Sequence, residues 1–370
     1  MPPVLLLLFN RPDLTRGLVE SLRIVRPGEL YVAVDGPREG VPGDREKVEE
    51  VRKIAEEEID WPCRKHWLVR SENLGCGVGV SSAISWFFQQ VEQGIILEDD
   101  CHPDPSFFGF CQAMLERYSD DNRVAMISGT SLLPDGVILE RPYYFSKYTG
   151  IWGWASWRRM WECYAYDLYG SSAKDWEAIV EKNNPDPLER EYWMHFLHSM
   201  LAGEIDTWDF QVQFAKWKSG GLTITPGRNL VENRGFRPDA THTQTDLSIG
   251  KRKAASMPGP YPSQPVGQDS EVDRLTFLQR LLISPEFASH LLLKSNERLQ
   301  QSGAGAEASR EDQPPRGPSP AEVAEIKETL EILRGENQTL VQALTAARRE
   351  MECYYGVTGA WRCLRKLLSP

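Results

Sequence analysis

Val4 to Phe9 is an unbroken apolar run, the pattern of a strand covered on both faces. The turn Asn10-Arg11-Pro12-Asp13 follows, and Leu14 to Val25 carries apolar residues at helical spacing. Glu29 to Val34 reads as a second strand, closed by Asp35-Gly36-Pro37, and Asp44 to Ile59 as a strongly charged amphipathic helix. His66 to Val69 predicts a third strand, Val80 to Val91 an apolar helix, and Gly94 to Leu97 a fourth strand. Pro105 to Tyr118 predicts another helix and Val124 to Ser128 another strand. Strands alternating with helices imply βαβ units, hence an α/β fold with a mainly parallel sheet and right-handed crossovers.

From Tyr143 to Trp217 the pattern gives way to crowded aromatics, which for the most part predict core packing among helices. Leu222 to Thr225 looks like a strand, and residues 246–270, rich in Pro, Ser, Gly and Lys, look like a loop. Residues 301–320 are low-complexity linker. A heptad follows, with a and d positions at Val323, Ile326, Leu330, Leu333, Asn337, Leu340, Leu344, Ala347 and Met351. A single polar Asn at an a position suits a short parallel coiled coil and a homodimer through residues 323–351; a lone amphipathic helix docked on its own domain is the competing reading. The tail from Tyr354 to Leu368 mixes Trp361 and leucines with Arg362, Arg365 and Lys366, a composition that can lie on an anionic membrane surface or continue the helical interface.

Composition narrows the class. The chain has 370 residues, 41% of them hydrophobic, with 12 Trp, enough apolar mass for a large core. A formal net charge of −11 argues against nucleic acid as a partner. The seven cysteines are scattered without a CxxC pair, which predicts reduced thiols, a cytoplasmic protein and no zinc site. Leu5 to Leu8 has no basic stretch before it and is too short for a signal peptide, and no run of about 20 apolar residues predicts a membrane span.

The candidate chemistry sits at Glu98-Asp99-Asp100, directly after the apolar segment Gly94 to Leu97. Adjacent carboxylates brought to the C-terminal edge of an open sheet repel one another unless a cation or strong donors hold them. A hard divalent ion, Mn²⁺ or Mg²⁺, with a phosphate-bearing substrate would do so. The segments "LLLFNRPDLTRGLVESL", "AVDGPR", "NLGCGVGVSSAISWFF", "GIILEDDCHPDPSFFGF", "GIWGWASWRRMW", "TWDFQ" and "NRGFRPDATHT" occur in this order. Over about residues 3–245 the set resembles nucleotide-diphospho-sugar transferases of the GT-A fold, in the bacterial hemolytic-protein-like branch similar to N-acetylglucosaminyltransferase I.

The resemblance implies roles. Asp100 matches the direct metal ligand, Asp99 the acid that holds the ribose, and Glu98 the acid near the donor sugar. Arg11 matches a basic residue that reaches the diphosphate, beside Phe9 and Asn10; Asp35 matches the acid that reads the uracil edge. Asn73 and Gly75 lie where the chain passes the nucleotide, and Trp154 matches a Gly-Trp turn near the donor sugar, with Trp152 and Trp157 as further stacking candidates. Asp209 stands near the place of the catalytic base, with Asp206 and Glu177 as rivals and a helix cap as its plain alternative. His242 could be a further metal ligand, a phosphate donor or a structural residue.

The implied organisation is a GT-A domain over 1–245, a loop and helical extension over 246–300, the linker 301–320, a coiled coil over 321–353 and a basic amphipathic tail over 354–370. The implied activity is inverting, metal-dependent transfer from a nucleotide sugar, UDP-linked by the resemblance, to a glycan or glycolipid acceptor in the cytoplasm or at the inner face of the membrane. Two other classes compete. A sugar-1-phosphate nucleotidyltransferase shares the layout but usually carries a Gly-rich N-terminal loop, which "LLFNRPDL" lacks. A non-catalytic scaffold assembling through its coiled coil would not need the intact acidic triplet. For the coiled coil, Asn337→Leu is expected to change the oligomeric state measured by sedimentation; a monomer both before and after the change would remove it.

Overall fold

The computed structural model describes residues 1–133, 137, 139, 141–168, 171–236, 252–282 and 287. Met1–Leu293 form one compact unit and Lys294–Pro370 a second. The heptad segment, the basic tail and His242 lie outside the described residues. The chain runs β1 (Val4–Leu8), α1 (Pro12–Val25), β2 (Glu29–Val34), α2 (Asp44–Glu57), β3 (Arg64–Val69), α3 (Gly75–Gln90), β4 (Gln93–Glu98), β5 (Cys101–Pro103), α4 (Pro105–Arg117) and β6 (Val124–Ser128). It continues through β7 (Tyr143–Ser146), β8 (Trp154–Trp157), α5 (Arg158–Trp161), α6 (Ala173–Asn183), α7 (Pro187–Leu201), α8 (Asp209–Ser219), β9 (Leu222–Pro226), β10 (Val231–Asn233) and α9 (Ser270–Leu282).

An eight-stranded sheet in the order β3-β2-β1-β4-β8-β6-β9-β7 forms the centre. β3, β2, β1, β4, β6 and β9 run one way, while β8 and β7 run against them. The α/β class with a mainly parallel sheet follows the sequence pattern. The two antiparallel strands were hidden because their residues, Tyr143 to Ser146 and Trp154 to Trp157, are buried on both faces and lie inside the aromatic-rich stretch. α3 also begins earlier than its apolar pattern predicts, because Gly75, Gly77 and Gly79 mask its first turns.

β1 explains its own sequence. Val4, Leu6 and Leu8 enter one layer with α1, α2 and α4, while Leu5 and Leu7 enter the other with α3, α5 and α8. Helices on both faces leave no polar side for the strand, hence the unbroken apolar run. Local signals set the ends of the flanking helices. Pro12 and Pro105 occupy first-turn positions, and the Asp104 carboxylate accepts from Ser106 N at 2.9 Å as the cap of α4. Among the described residues no helix is long and apolar enough to cross a membrane.

β1 pairs with β2 on one side and with β4 on the other, in registers Val4↔Leu30 and Leu7↔Glu98. The chain therefore leaves β1 in one direction and returns across it, which makes the β1/β4 boundary the topological switch point. In open α/β sheets that crevice is where ligands bind. Leu6 is fully buried and Ile24 is 68% exposed. Leu6→Ala should cost about 2–5 kcal/mol in urea unfolding, and Ile24→Ala under about 0.5 kcal/mol; equal losses would contradict this layer assignment.

Candidate functional site

A cleft of about 690 Å³ opens above the switch point. β4 delivers the acids to it. The ladder with β1 continues past Glu98, with Asp99 N donating to Leu7 O at 3.1 Å. β5 then pairs with β10 in the register Cys101↔Asn233, and Arg234 N donates to Asp100 O at 2.9 Å. The triplet is thus fixed at both ends by backbone hydrogen bonds.

Arg11, the residue before α1, meets the acids from the end of β1. Its Nε donates to Asp99 Oδ2 at 3.1 Å, its Nη2 to Asp99 Oδ1, and its Nη1 lies 3.1 Å from Asp100 Oδ2. Burial pulls the guanidinium down, but Asp99 and Asp100 together push it above its ordinary value. Burial raises Asp99 to about 6, against the pull of Arg11. Burial, joined by the charge of Asp100, raises Glu98 well above the carboxylate range, and Arg11 only partly offsets this.

On the side of β2 and β3, Asp35 accepts from Asn73 Nδ2 at 3.0 Å and from Leu74 N at 3.2 Å, with Arg70 at 3.5 Å. Burial raises Asp35, and the Leu74 amide and Arg70 oppose the rise. Asn73 Oδ1 in turn accepts from Gly75 N at 3.2 Å, with Gly75 at φ +78°, a turn favouring glycine. Asn10 Nδ2 donates to Asp44 at 2.5 Å, and Arg38, hydrogen-bonded to the same carboxylate, holds Asp44 far below its usual range. The Arg38 guanidinium lies 5.4 Å from the Phe9 ring centroid.

The remaining wall comes from the aromatic-rich half. Trp152 stands edge-on to Phe236 with centroids 5.3 Å apart, and its carbonyl accepts from Thr130 Oγ1 at 2.7 Å. Asp209 opens α8, and its Oδ1 accepts from Phe210 N at 2.9 Å and from Thr207 Oγ1. Asp206 Oδ1 accepts from Gly77 N and Tyr166 Oη, both at 3.1 Å. A Cβ on Gly77 would overlap both partners.

The cleft brings together Phe9, Asn10, Arg11, Asp35, Asn73, Gly75, Glu98, Asp99, Asp100 and Asp209 from the sequence-derived set. Trp154 is a correction. It is 1% exposed in the core, stacked 6.0 Å from Trp208, and does not line the cleft; Trp152, two residues earlier, does. Trp157 is likewise buried, with Arg159 over its ring. Glu177, a rival base, is paired at 2.9 Å with His198 and stands outside the cleft. Sequence reasoning missed Arg70 and Arg38. The sheet-edge argument applied to β3 points to the first, and the quoted motif Ala33-Val-Asp-Gly-Pro-Arg38 contained the second.

Among the described residues no group of three or more His, Cys, Asp or Glu is placed to hold a metal ion. Asp100 reaches the cleft with one oxygen against Arg11. These residues fit a divalent ion only as one carboxylate anchor, with the remaining ligands drawn from water and ligand oxygens, a mode that suits Mg²⁺ and Mn²⁺ beside phosphates.

No protein-family model and no curated protein matches the chain. Solved structures similar to part of it include HddC from Yersinia pseudotuberculosis, 12% identical over 46% of this chain and 85% of its own, with a TM-score of 0.29. An apo UDP-glucose pyrophosphorylase is 9% identical over 60% and 90%, with a TM-score of 0.31. Mouse xyloside xylosyltransferase 1 is 9% identical over 58% and 80%, with a TM-score of 0.27. At these scores the likenesses carry no argument; the fold rests on the strand order and connections above.

Removing Arg11 leaves Asp99, 2% exposed, without its guanidinium. Arg11→Ala should therefore cost about 3–5 kcal/mol at pH 8. Without the arginine the folded-state pKa of Asp99 rises further above its unfolded value, so the native state must bury an unpaired charge at high pH only. The stability gap to the parent should narrow as pH falls from 8 to 5; a gap that is constant or widens in urea titrations would refute this account.

Proposed function

We propose that the chain is a transferase that uses a nucleotide sugar, and more specifically an inverting GT-A glycosyltransferase acting on a glycan or glycolipid hydroxyl. The observation that carries this reading is the grouping at the switch point of Arg11 and the three acids, between a polar pocket at Asp35 and Asn73 and a wall bearing Trp152 and Asp209. A nucleoside diphosphate needs donors for a base, a ribose and two phosphates, and a sugar needs an aromatic or polar face. The lining of the cleft includes groups of each kind.

In this reading Asp35 and Asn73 meet the base, Asp99 the ribose, Glu98 the sugar, and Arg70, Arg38 and Arg11 supply positive charge around the phosphates. Burial favours the neutral form of Glu98, the form that can donate to a sugar oxygen as well as accept. A divalent ion on Asp100 would neutralise charge on the leaving diphosphate. Asp209 serves as the base. Thr207 and Phe210 hold it through one oxygen, which leaves the other for the acceptor proton. Asp209 is half-buried whereas Asp206 is exposed, and a base shielded from water suits transfer over hydrolysis.

Thermal unfolding with a panel of nucleotides and nucleotide sugars, with and without Mn²⁺, tests the reading. A ligand at about 100 Kd should add about 2.7 kcal/mol of stability. A UDP-sugar response that Mn²⁺ strengthens and that Asp100→Ala loses is expected; no response to any nucleotide would overturn the reading. Asp209→Asn should keep the response and lower transfer about 10²–10⁴-fold. If Asp206→Asn abolishes transfer and Asp209→Asn does not, the base is Asp206.

A further inference from the structure

Beyond the acids, the cleft has a wall whose backbone belongs to no ladder. After β7 the chain turns through Lys147, Tyr148 and Thr149, all buried, and continues along the cleft as Gly150, Ile151 and Trp152. Buried backbone groups outside secondary structure need partners. Side chains from α8 and α9 supply them here. Asp273 of α9 accepts from Lys147 N at 3.0 Å and from Ser146 Oγ, and that Oγ accepts from Tyr148 N at 3.0 Å. Gln213 of α8 accepts from Thr149 N at 2.8 Å and from Thr149 Oγ1 at 3.1 Å.

The carbonyls are met in the same way. Gln213 Nε2 donates to Lys147 O at 2.8 Å, and Trp217 Nε1 at 3.0 Å and Lys216 Nζ donate to the same oxygen. Arg280 of α9 donates to Thr149 O at 2.6 Å and lies over the Tyr148 ring, 5.3 Å from its centroid. The Lys147 ammonium, pointing the other way, pairs with Glu189 of α7 at 2.8 Å. Gln213 stands four residues after Asp209, hence on the same face of α8. The helix that starts at Asp209 and the segment that ends at Trp152 are thus joined through Gln213, Lys216 and Trp217, of which Gln213 alone meets both an amide and a carbonyl.

We infer that Asp273 and Gln213 are positioning residues: they hold segment 147–152 against α8, fix the cleft wall that carries Trp152, and make α9 part of the ligand-binding unit. Simple burial does not account for this arrangement. An apolar core would leave the amides and carbonyls of Lys147 and Thr149 unmet, each a buried polar group without a partner. The acidic side chain of Asp273 is also the wrong choice for a site whose only task is to be filled.

The test is site-resolved amide hydrogen exchange on the full chain, with the thermal response to UDP as a second measure; only the choice of UDP rests on the proposed nucleotide-sugar function. In Asp273→Ala, exchange at Lys147 and Tyr148 should quicken about tenfold or more while residues 4–8 and 93–98 keep their protection. The UDP response should fall by about half or more, since a displaced wall weakens binding. Asp273→Asn, which can still accept from Lys147 N, should restore part of both. Should Asp273→Ala fail to fold, Gln213→Leu reads the same device at the Thr149 amide. Unchanged exchange at 147–149, or a loss of protection spread equally over β1 and β4, overturns the inference. Faster local exchange with an undiminished UDP response overturns its link to the ligand. A parent protein that ignores UDP counts against the proposed function, and the exchange data still decide the positioning.

Discussion

The site depends on one electrostatic constraint: the Arg11 guanidinium held against Asp99 and Asp100 at the meeting of β1 and β4. Three consecutive carboxylates in a low-dielectric crevice repel one another and resist desolvation. One arginine, hydrogen-bonded to the most buried of them, lets the triplet persist, while the acid before it is driven toward its neutral form. The position of Arg11 comes from β1 and the start of α1, and the positions of the acids come from β4 and β5. The ion pair therefore ties the first loop of the chain to the fourth and fifth strands. A ligand entering this crevice meets a preformed pattern of charge and not a plain negative patch.

The apolar layers serve that constraint. Because helices cover both faces of the sheet, β1 and β4 cannot tilt or slip without exposing residues of two cores at once. Leu7 stays opposite Glu98, and Asp99 N stays on Leu7 O. The cleft floor is held by the two apolar layers, some of whose members, such as Leu7, Leu8, Ala33 and Ala83, also line it. The opposite wall is built differently. Its backbone leaves the sheet and is held by hydrogen bonds from Gln213, Lys216, Trp217, Asp273 and Arg280, which makes it dependent on a polar network in which each member needs the others.

Much of the first half of the molecule was legible in the chain itself. Continuous apolar runs, charged amphipathic stretches and Pro or Asp at helix starts have local causes, so β1, β2, β6 and α4 fall close to where the pattern puts them. The acids at the end of β4 could be placed at the ligand edge because parallel strands bring their C-terminal ends there, while Arg11 and Asp35 joined them only through the family resemblance. Trp154 shows where that reasoning fails. A tryptophan beside a glycine turn has the same local sequence whether its ring faces a ligand or a core, and its place in β8, between β4 and β6, turned it inward against Trp208.

Thus the sequence alone determined the α/β alternation and the helices of the first half of the chain, because each follows from the period of a short segment. Tertiary structure decided the strand order beyond β4, the inward turn of Trp154, the pairing of Arg11 with its acids and the recruitment of α9 to the cleft wall. Those choices depend on contacts between residues far apart in the chain, such as Lys147 with Asp273 or Arg11 with Asp99, and no local pattern encodes such a distance.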